Sequence, residues 1–334
     1  MLHRSRALSF LSLMARTMSV AALVSVSAAQ IVWAQAYPDR PIKLVSPWPP
    51  GGSNDTISRL IAGRLTTAMG QPVLVENRPG ATGTLGVSQV ARAPADGYII
   101  VMGSSPTHAT APSIYPGLTY NPVRDFSPVT LIGITANVLV VNPSVKAKNV
   151  AELIALAKAK PGTLTFASTG NGSSQHLSAE LFAVMSGVSL LHVPYKGAAP
   201  AIADMLAGHV NIGFHNMVDV LPHVRAGTLR ALAVTSPQRS KIMPDVPTVA
   251  ESGLPGYAAE VWFGIFAPAN TPRPVVDRLH QEISRALGDE EIRTKLNSFG
   301  TEVSGIGPEP FARYVKEEMT KWSDIVRRVD VKPN

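Results

Sequence analysis

The stretch Ile42-Lys-Leu-Val-Ser46, continued by Pro47-Trp-Pro-Pro-Gly-Gly-Ser-Asn-Asp55, decides the fold of this chain. A short apolar run ends in a turn of glycine, proline and small polar residues, and an amphipathic segment follows as far as Met69. Apolar residues recur in that segment with the period of an α-helix, and Gly70 is typical of a helix end. The pattern therefore predicts a β-strand that turns sharply into the N-terminus of a helix.

The same alternation of strand and helix continues outward from this stretch. It extends to a strand near Met102, and a second series of alternating elements begins near residue 139. Strands that alternate with helices through short loops are typical of an α/β fold with parallel sheets. The extended runs Leu131–Asn142 and Pro255–Pro268 are long enough to cross between two lobes. We therefore expect a discontinuous lobe one, residues 37–138 plus 256–334, with lobe two, residues 139–255, inserted into it.

The first 36 residues differ from the rest of the chain. Arg4, Arg6 and Arg16 form a basic start, Val20–Ala29 is a short apolar core, and Ala34-Gln-Ala36 resembles a signal peptidase site. A membrane anchor is the alternative, but the apolar run is shorter than the roughly 20 residues that a spanning helix needs. The pattern predicts a signal peptide, cleavage after Ala36 and a periplasmic mature protein.

The composition of the 334 residues excludes several classes of protein. Hydrophobic residues make up 45% of the chain and charged residues 16%, which disfavours a disordered protein. The absence of cysteine excludes disulfide scaffolds, thiolate metal sites and cysteine nucleophiles. Loss of the three leader arginines would lower the net charge from +7 to +4. Because that charge is small and dispersed, nucleic-acid binding is not expected.

Three predicted turns are unusually rich in Gly, Ser, Thr and Asn, namely residues 49–55, 80–84 and 168–174. The first N–H groups of a helix lack partners within the helix, and the helix dipole adds partial positive charge there. Glycine lets a ligand approach this backbone, so such turns can bind an anion without Lys or Arg. The alternative is that they are ordinary helix caps, with Asp55 capping its own helix. Two such turns in different lobes favour a carboxylate ligand in the cleft between them.

Sequence signatures of other activities are absent from the chain. No dinucleotide-binding turn, Walker A sequence or Gly-x-Ser-x-Gly elbow occurs, and the histidines show no paired metal spacing. We therefore expect no catalytic residues, no cofactor and no metal. A secreted hydrolase or esterase is the competing hypothesis, and it would need a nucleophile beside a base.

Several motifs in order along the mature chain carry a family resemblance. The chain resembles the periplasmic substrate-binding proteins of tripartite tricarboxylate transporters, called the Bug family. The motifs are Tyr37-Pro-Asp-Arg-Pro-Ile42, Trp48-Pro-Pro-Gly-Gly-Ser-Asn-Asp55, Gly70-Gln-Pro-Val-Leu-Val-Glu-Asn-Arg-Pro-Gly80, Asp96-Gly-Tyr98, Ser104-Ser-Pro-Thr-His108, Phe126-Ser-Pro-Val-Thr130, Val193-Pro-Tyr-Lys-Gly197 and Asp245-Val-Pro-Thr-Val-Ala-Glu-Ser-Gly-Leu-Pro255.

The resemblance implies a type II periplasmic-binding-protein fold, in which two α/β lobes close on a small carboxylate and deliver it to a membrane permease. The first turn would hold one end of the ligand, the turn at 168–174 the other, and the loop at 104–108 would line the cleft. The expected ligand-binding residues are Trp48, Pro50, Gly51, Gly52, Ser53, Asn54, Ser104, Ser105, Thr107, His108, Ser168, Thr169, Gly170, Asn171, Gly172, Ser173, Ser174, Phe214 and His215.

Two departures from the family pattern bear on the ligand. Trp48 stands where many members have Phe, which is either a wall for a planar ligand or a packing substitution. His215 follows Phe214 where many members have Asp, so we expect that amino acids are not the preferred ligand. The residues leave the ligand open between an aromatic carboxylate and a dicarboxylate. They also leave open the roles of Tyr195, Lys196 and His176.

The sequence thus predicts a monomeric periplasmic receptor that passes a small carboxylate to the subunits of its cognate membrane permease. A sensor that docks a signalling protein when ligand is bound would use the same fold, and it remains an alternative.

Overall fold

The computed structural model describes residues 37–329 and residue 331. The chain divides into two compact units, Met1–Arg40 and Pro41–Asn334. Of the first unit only Tyr37–Arg40 are described, and they contain no helix or strand. The predicted signal peptide and its cleavage site lie outside the described residues. Among the described helices, none has the length and apolar character needed to cross a membrane.

The first sheet begins with a βαβαβ run, as the sequence predicts. Its elements are β1 (Ile42–Ser46), α1 (Ser53–Met69), β2 (Val73–Asn77), α2 (Thr84–Ala91) and β3 (Ile99–Ser104). Strand β1 pairs in parallel with both β2 and β3, so it lies between them. Helix α1 buries one apolar stripe and ends at Gly70, whose φ of 67° is readily adopted by glycine.

A second sheet, with a parallel core, is built from the middle of the chain. Helix α4 (Val150–Ala159) precedes β5 (Thr165–Ser168), α5 (Ser174–Ser186), β6 (Leu191–Pro194), α6 (Ala198–Leu206), β7 (Ile212–Asn216), α7 (Met217–Arg225) and β8 (Arg230–Val234). Strand β5 pairs in parallel with β6 on one side and β7 on the other. The side chain of Asn149 accepts a hydrogen bond from Glu152 N and caps α4, as predicted.

One long strand, β4 (Phe126–Val141), belongs to both sheets. Its first part pairs antiparallel with β9 (Glu260–Pro268) and its last five residues with β7. Both strands lie where the sequence predicts extended runs. The resulting order is β2-β1-β3-β9-β4-β7-β5-β6, with β8 and β10 (Thr301–Val303) also on β4. The α/β prediction is therefore confirmed, and β4 carries the chain from one sheet to the other.

The remaining helices complete the core. They are α3 (Ala111–Ile114), which follows a π-helical turn at Pro106–Thr110, α8 (Arg273–Gly288), α9 (Glu290–Ser298) and the amphipathic α10 (Pro308–Val329). Helix α10 packs on β4, α5 and the π-helical turn, so it touches elements of both sheets. Its Phe311 and Trp322 are buried, and Trp322 Nε1 donates to Glu318 at 2.9 Å.

The contact between α10 and β9 leaves no room at Gly264. A Cβ there would overlap the ring of Phe311 and lie 3.1 Å from the carbonyl oxygen of Thr130. We expect Gly264→Ala to lower the free energy of unfolding by about 1–3 kcal/mol, because overpacking strains a filled core.

Urea unfolding measures this change, and Gly63→Ala is its control. Gly63 lies inside α1 with no atom within 4 Å of an added Cβ. The control should raise stability by up to about 1 kcal/mol through helix propensity. Equal stabilities for the two variants would contradict the packing at Phe311.

Candidate functional site

A cavity lies where the carboxyl ends of strands from both sheets meet, and the space between its walls, including the part that is open to solvent, is about 430 Å³. From the first sheet and its turns it is lined by Trp48, Pro49, Gly52, Ser53, Asn54, Ser104, Pro106, Val261 and Phe263. From the second it is lined by Thr169, Ser174, Gln175, Gly197, Ala198, Asn216 and Asp219. The cavity thus occupies the position that ligands take in open α/β sheets.

The start of α1 is held rigidly at this cavity. Gly52 is the N-cap residue in an extended conformation, and none of the described side chains caps this end of the helix. The amide side chain of Asn54 accepts from Ser46 Oγ at 2.9 Å and donates to the Met102 carbonyl oxygen at 3.0 Å. Asn54 therefore ties α1 to β1 and β3, so its side chain is used by the scaffold although the residue lines the cavity.

Asp55 stabilises the turn before α1 from inside the first helical turn. Its Oδ2 accepts from Gly51 N at 3.0 Å and from Arg59 Nε at 3.0 Å, and Asn77 Nδ2 donates to Oδ1 at 2.8 Å. Burial alone would raise its pKa, but these hydrogen bonds lower the pKa below its ordinary value. Asp55 thus supports the turn by reaching back to Gly51, whereas Gly52 holds the N-cap position that the cap hypothesis gave to Asp55.

The turn before α5 is stabilised by its own side chains. Ser173 is the N-cap residue and accepts from His176 N at 3.3 Å, while Gly172 N donates to His176 Nδ1 at 3.0 Å. Thr169 Oγ1 donates to Gln175 Oε1 at 2.9 Å. His176, whose role the sequence left open, therefore orients this turn.

The middle of the same turn faces the first sheet's surface and not the cavity. The Asn171 carbonyl oxygen accepts from Thr82 Oγ1 at 2.8 Å and from the Tyr115 hydroxyl at 2.9 Å. At Gly172, a Cβ would lie 2.8 Å from Ile114 Cδ1. Gly170, Asn171 and Gly172, all expected to bind ligand, are absent from the lining because they pack against this neighbouring surface.

Ser168 and His192 form the arrangement nearest to a nucleophile–base pair. Ser168 Oγ lies 2.6 Å from His192 Nε2, and the His192 ring stacks on that of His176 with centroids 4.0 Å apart. Burial, with a smaller effect of His176, lowers the pKa of His192 to about 3. Ser168 is fully buried and does not line the cavity, so its hydroxyl serves the turn.

The loop expected at 104–108 consists of the end of β3 and the beginning of the π-helical turn Pro106–Thr110, and most of its side chains are buried in the core. His108 is fully buried, and its ring stacks on Phe266 with centroids 4.0 Å apart. Burial lowers the pKa of His108 to about 3. Ser105, Thr107 and His108 therefore lie outside the lining, whereas Ser104 and Pro106 reach it.

Phe214 and His215 are also buried away from the cavity. Phe214 packs against Phe182 with ring centroids 5.5 Å apart. The His215 ring lies over Gly213, where a Cβ would be 2.6 Å from Cδ2. Both His215 ring nitrogens lack partners among the described residues, and burial lowers its pKa to about 4. Phe214 and His215, both expected to bind ligand, therefore lie outside the lining, and Phe263 from β9 lines the cavity with Trp48.

The remaining expected residues divide in the same way. Trp48, Gly52, Ser53, Asn54, Ser104, Thr169 and Ser174 line the cavity, whereas Pro50, Gly51, Ser168 and Ser173 do not. Pro50 and Gly51 are exposed in the turn, and Ser173 is occupied as a cap.

Tyr195 and Lys196, whose roles the sequence left open, lie outside the lining. The Tyr195 hydroxyl donates to Asp204 Oδ2 at 2.6 Å, and burial together with that bond raises the pKa of Tyr195 to about 12. Lys196 is exposed, next to the lining residue Gly197. Among the described residues no group of three or more His, Asp or Glu is arranged to hold a metal ion.

Sequence reasoning missed nine lining residues, among them Asn216 and Asp219 at the start of α7. Asn216 Nδ2 donates to Ser53 Oγ across the cavity, and the main-chain N–H and hydroxyl of Ser53 face the Asp219 carboxylate. The other residues missed were Pro49, Pro106, Gln175, Gly197, Ala198, Val261 and Phe263. A polar Asn-x-x-Asp pattern directly after a buried strand was the signal available for α7.

Of the described residues that line the cavity, Asp219 is the one that can ionise. Its side chain is half-buried, but Oδ2 is fully shielded and has no hydrogen-bond partner among the described residues. Burial raises the pKa of Asp219 to about 7, and hydrogen bonding from Ser53 acts in the opposite direction. The carboxyl group therefore changes its charge near neutral pH.

This raised pKa predicts a pH-dependent stability. Because the folded protein binds the Asp219 proton more tightly than the unfolded chain, its stabilising effect is complete below about pH 4 and is lost as the pH rises through about 7. We expect Asp219→Asn to remove this loss, so the variant should gain stability relative to the parent as the pH rises.

Thermal melts of both proteins across this pH range measure the difference in their stability. The buried histidines have the opposite effect on stability, but they are the same in both proteins, so their contribution cancels in the difference. Asp245→Asn, at an exposed position outside the cavity lining, is the matched control. A difference between parent and Asp219→Asn that does not vary with pH would contradict the assigned shift.

Comparison with known proteins identifies the family. Residues 57–331 match the family described as tripartite tricarboxylate transporter family receptor, TctC. Protein BugT of Bordetella pertussis is 37% identical over 332 residues, covering 99% of each chain. The solved structure of R. palustris Rpa4515 with adipate is 37% identical, has a TM-score of 0.87 and covers 89% of this chain and 100% of its own.

MatC from Rhodopseudomonas palustris, solved with bound malate, is 34% identical with a TM-score of 0.83, covering 87% of this chain and 100% of its own. These likenesses confirm the two-lobe type II periplasmic-binding-protein fold. The protein belongs to the receptor family of tripartite tricarboxylate transporters.

Proposed function

We propose that this protein captures a small carboxylate in the cavity between its lobes and delivers it to its cognate membrane permease. The observation that carries the proposal is the cavity itself, where the starts of α1 and α5 and several hydroxyl groups converge. Helix N-termini and hydroxyl donors suit an anion. The ligands of Rpa4515 and MatC, adipate and malate, are both dicarboxylates.

The lobes that close on the ligand would be residues 37–138 plus 256–334 and residues 139–255. Strand β4 supports this division because its pairing changes from β9 to β7 between Ala136 and Asn137. The chain returns to the first sheet at Glu260, the start of β9. Closure of two such lobes around a ligand is a common binding motion. We propose that the protein acts in this way as a monomer.

The receptor would bind its ligand without chemical change. The Ser168–His192 pair is buried outside the lining, so it could not reach a bound ester. Trp48 and Phe263 provide aromatic walls, which keeps a planar carboxylate among the candidate ligands. Hydrolysis of an ester that stops on replacement of Ser168 would contradict this part of the proposal.

A thermal-shift screen with mono-, di- and tricarboxylates tests the receptor function, because a ligand that binds the native state raises its melting temperature. Gly52→Val should then weaken binding of the carboxylate found by at least about tenfold. The added side chain would enter the cavity lining, and the Gly52 backbone conformation of φ −87° and ψ 172° suits any residue.

His215→Leu is the contrasting variant. Because His215 is buried outside the lining, we expect binding within about threefold of the parent. Unchanged binding by a folded Gly52→Val protein, or a large loss in His215→Leu, would show that the ligand binds elsewhere.

We also propose that the protein reaches the periplasm through its N-terminal signal peptide. Mass spectrometry of the exported protein should find a mature N-terminus at Tyr37. Retention of residues 1–36 on the exported protein would instead support a membrane anchor.

A further inference from the structure

Asp219 lies in the first turn of α7, at the end of β7, and faces the start of α1 across the cavity. We propose that Asp219 is a specificity-determining residue. It disfavours a second ligand carboxylate at the α1 end of the cavity and favours a hydrogen-bond donor there, namely an amide, hydroxyl or ammonium group. An ammonium group runs against the expectation drawn from His215, but that residue is fully buried outside the lining. The inference rests on the proposed carboxylate-receptor function and assigns the class of ligand.

The charge of the lining is the first argument. Among the described residues that line the cavity there is no Lys, Arg or His, and Asp219 is the one acidic residue. A dicarboxylate would therefore bring a third carboxylate into a small space with no cation to offset it. Like charges at such distances repel each other, and the repulsion is stronger where water is excluded.

The hydrogen bonds of Asp219 are the second argument. The N–H and hydroxyl of Ser53 lie close enough to its carboxyl group to lower the pKa, so an anion at the start of α1 would share these donors with Asp219. Asp219 Oδ2, by contrast, is a shielded acceptor with no partner among the described residues. A buried acceptor without a partner is unfavourable, and a ligand donor would remove that cost. Ser104 Oγ, 1% exposed and likewise without a partner in the described chain, lies in the same lining.

The end of the cavity at α5 has uncharged hydrogen-bonding groups that suit the carboxylate of the ligand. Thr169, Ser174 and Gln175 line it at the start of α5, which is thirteen residues long. None of these side chains is charged, and hydroxyl groups and a helix N-terminus suit one carboxylate. The ligand would therefore bind with its carboxylate at α5 and its donor at Asp219.

An acidic residue in the first turn of a helix has a local explanation, since it interacts favourably with the helix dipole. That effect accounts for an acidic side chain at this position of α7. It does not account for the orientation of the carboxylate toward Ser53 of α1 or for the unpartnered Oδ2.

The test compares dicarboxylates with their monoamides, which have nearly the same shape but carry a donor in place of one charge. The pairs are succinate with succinamate and adipate with adipamate, studied by calorimetry at about pH 8.5, where Asp219 is ionised. We expect the parent protein to bind a monoamide at least about tenfold more tightly than the matching dicarboxylate.

Asp219→Asn should reverse this preference, because an asparagine can donate a hydrogen bond to the second carboxylate. Asp219→Ser is a second variant in case the first does not fold, and it should abolish the preference. Asp245→Asn makes the same change of charge at an exposed position outside the cavity lining and should leave the preference unchanged.

Two results would overturn the inference. One is that the parent protein binds the dicarboxylate as tightly as the monoamide or more tightly. This includes the case in which the dicarboxylate binds together with one proton, and calorimetry in two buffers of different ionisation enthalpy detects that proton. The other is a preference that Asp219→Asn leaves unchanged. Binding of neither member of any pair by a protein that binds other carboxylates also counts against it. If no carboxylate in the thermal-shift screen binds, the receptor function itself fails, and that result is distinct from the others.

Discussion

The architecture depends on one strand that must satisfy its main-chain hydrogen bonds in two sheets. Strand β4 is sixteen residues long and largely buried, so its N–H and C=O groups need protein partners along its whole length. Strand β9 supplies them for the first part and β7 and β8 for the last. Because the two sheets share this strand, their other strands are directed to the two sides of one cavity.

The chemistry of the cavity follows from this arrangement. Parallel strands from both sheets end at the cavity, and the start of a helix follows them either directly, as after β7, or through a turn, as after β1 and β5. Such turns contribute main-chain donors, small hydroxyl groups and little charge. A lining without a cation binds an anion through the positions of its donors, so a single carboxylate such as that of Asp219 has a large influence on which ligand fits.

The sequence predicted the scaffold better than the site because the two kinds of information differ. The start of α1 could be located from Gly52 and its neighbours, since glycine and proline constrain the local backbone. The direction of Phe214 and His215 could not be predicted, because both faces of β7 are buried and the alternation of polar and apolar residues is lost. The position of Asn171 could not be predicted for a similar reason, since its carbonyl oxygen bonds with Thr82 and Tyr115, which are distant in the chain.

The sequence by itself determined the order of strands and helices, the turns of glycine and small polar residues before the helices, and the family resemblance. These properties depend on local backbone preferences and hydrophobic periodicity, which neighbouring residues specify. Only the tertiary structure decided which of the turn residues line the cavity. It brings Asn216 against Ser53, a residue 163 positions away, and with it Asp219. Contacts of that kind arise from sheet pairing and lobe packing, and local sequence does not specify them.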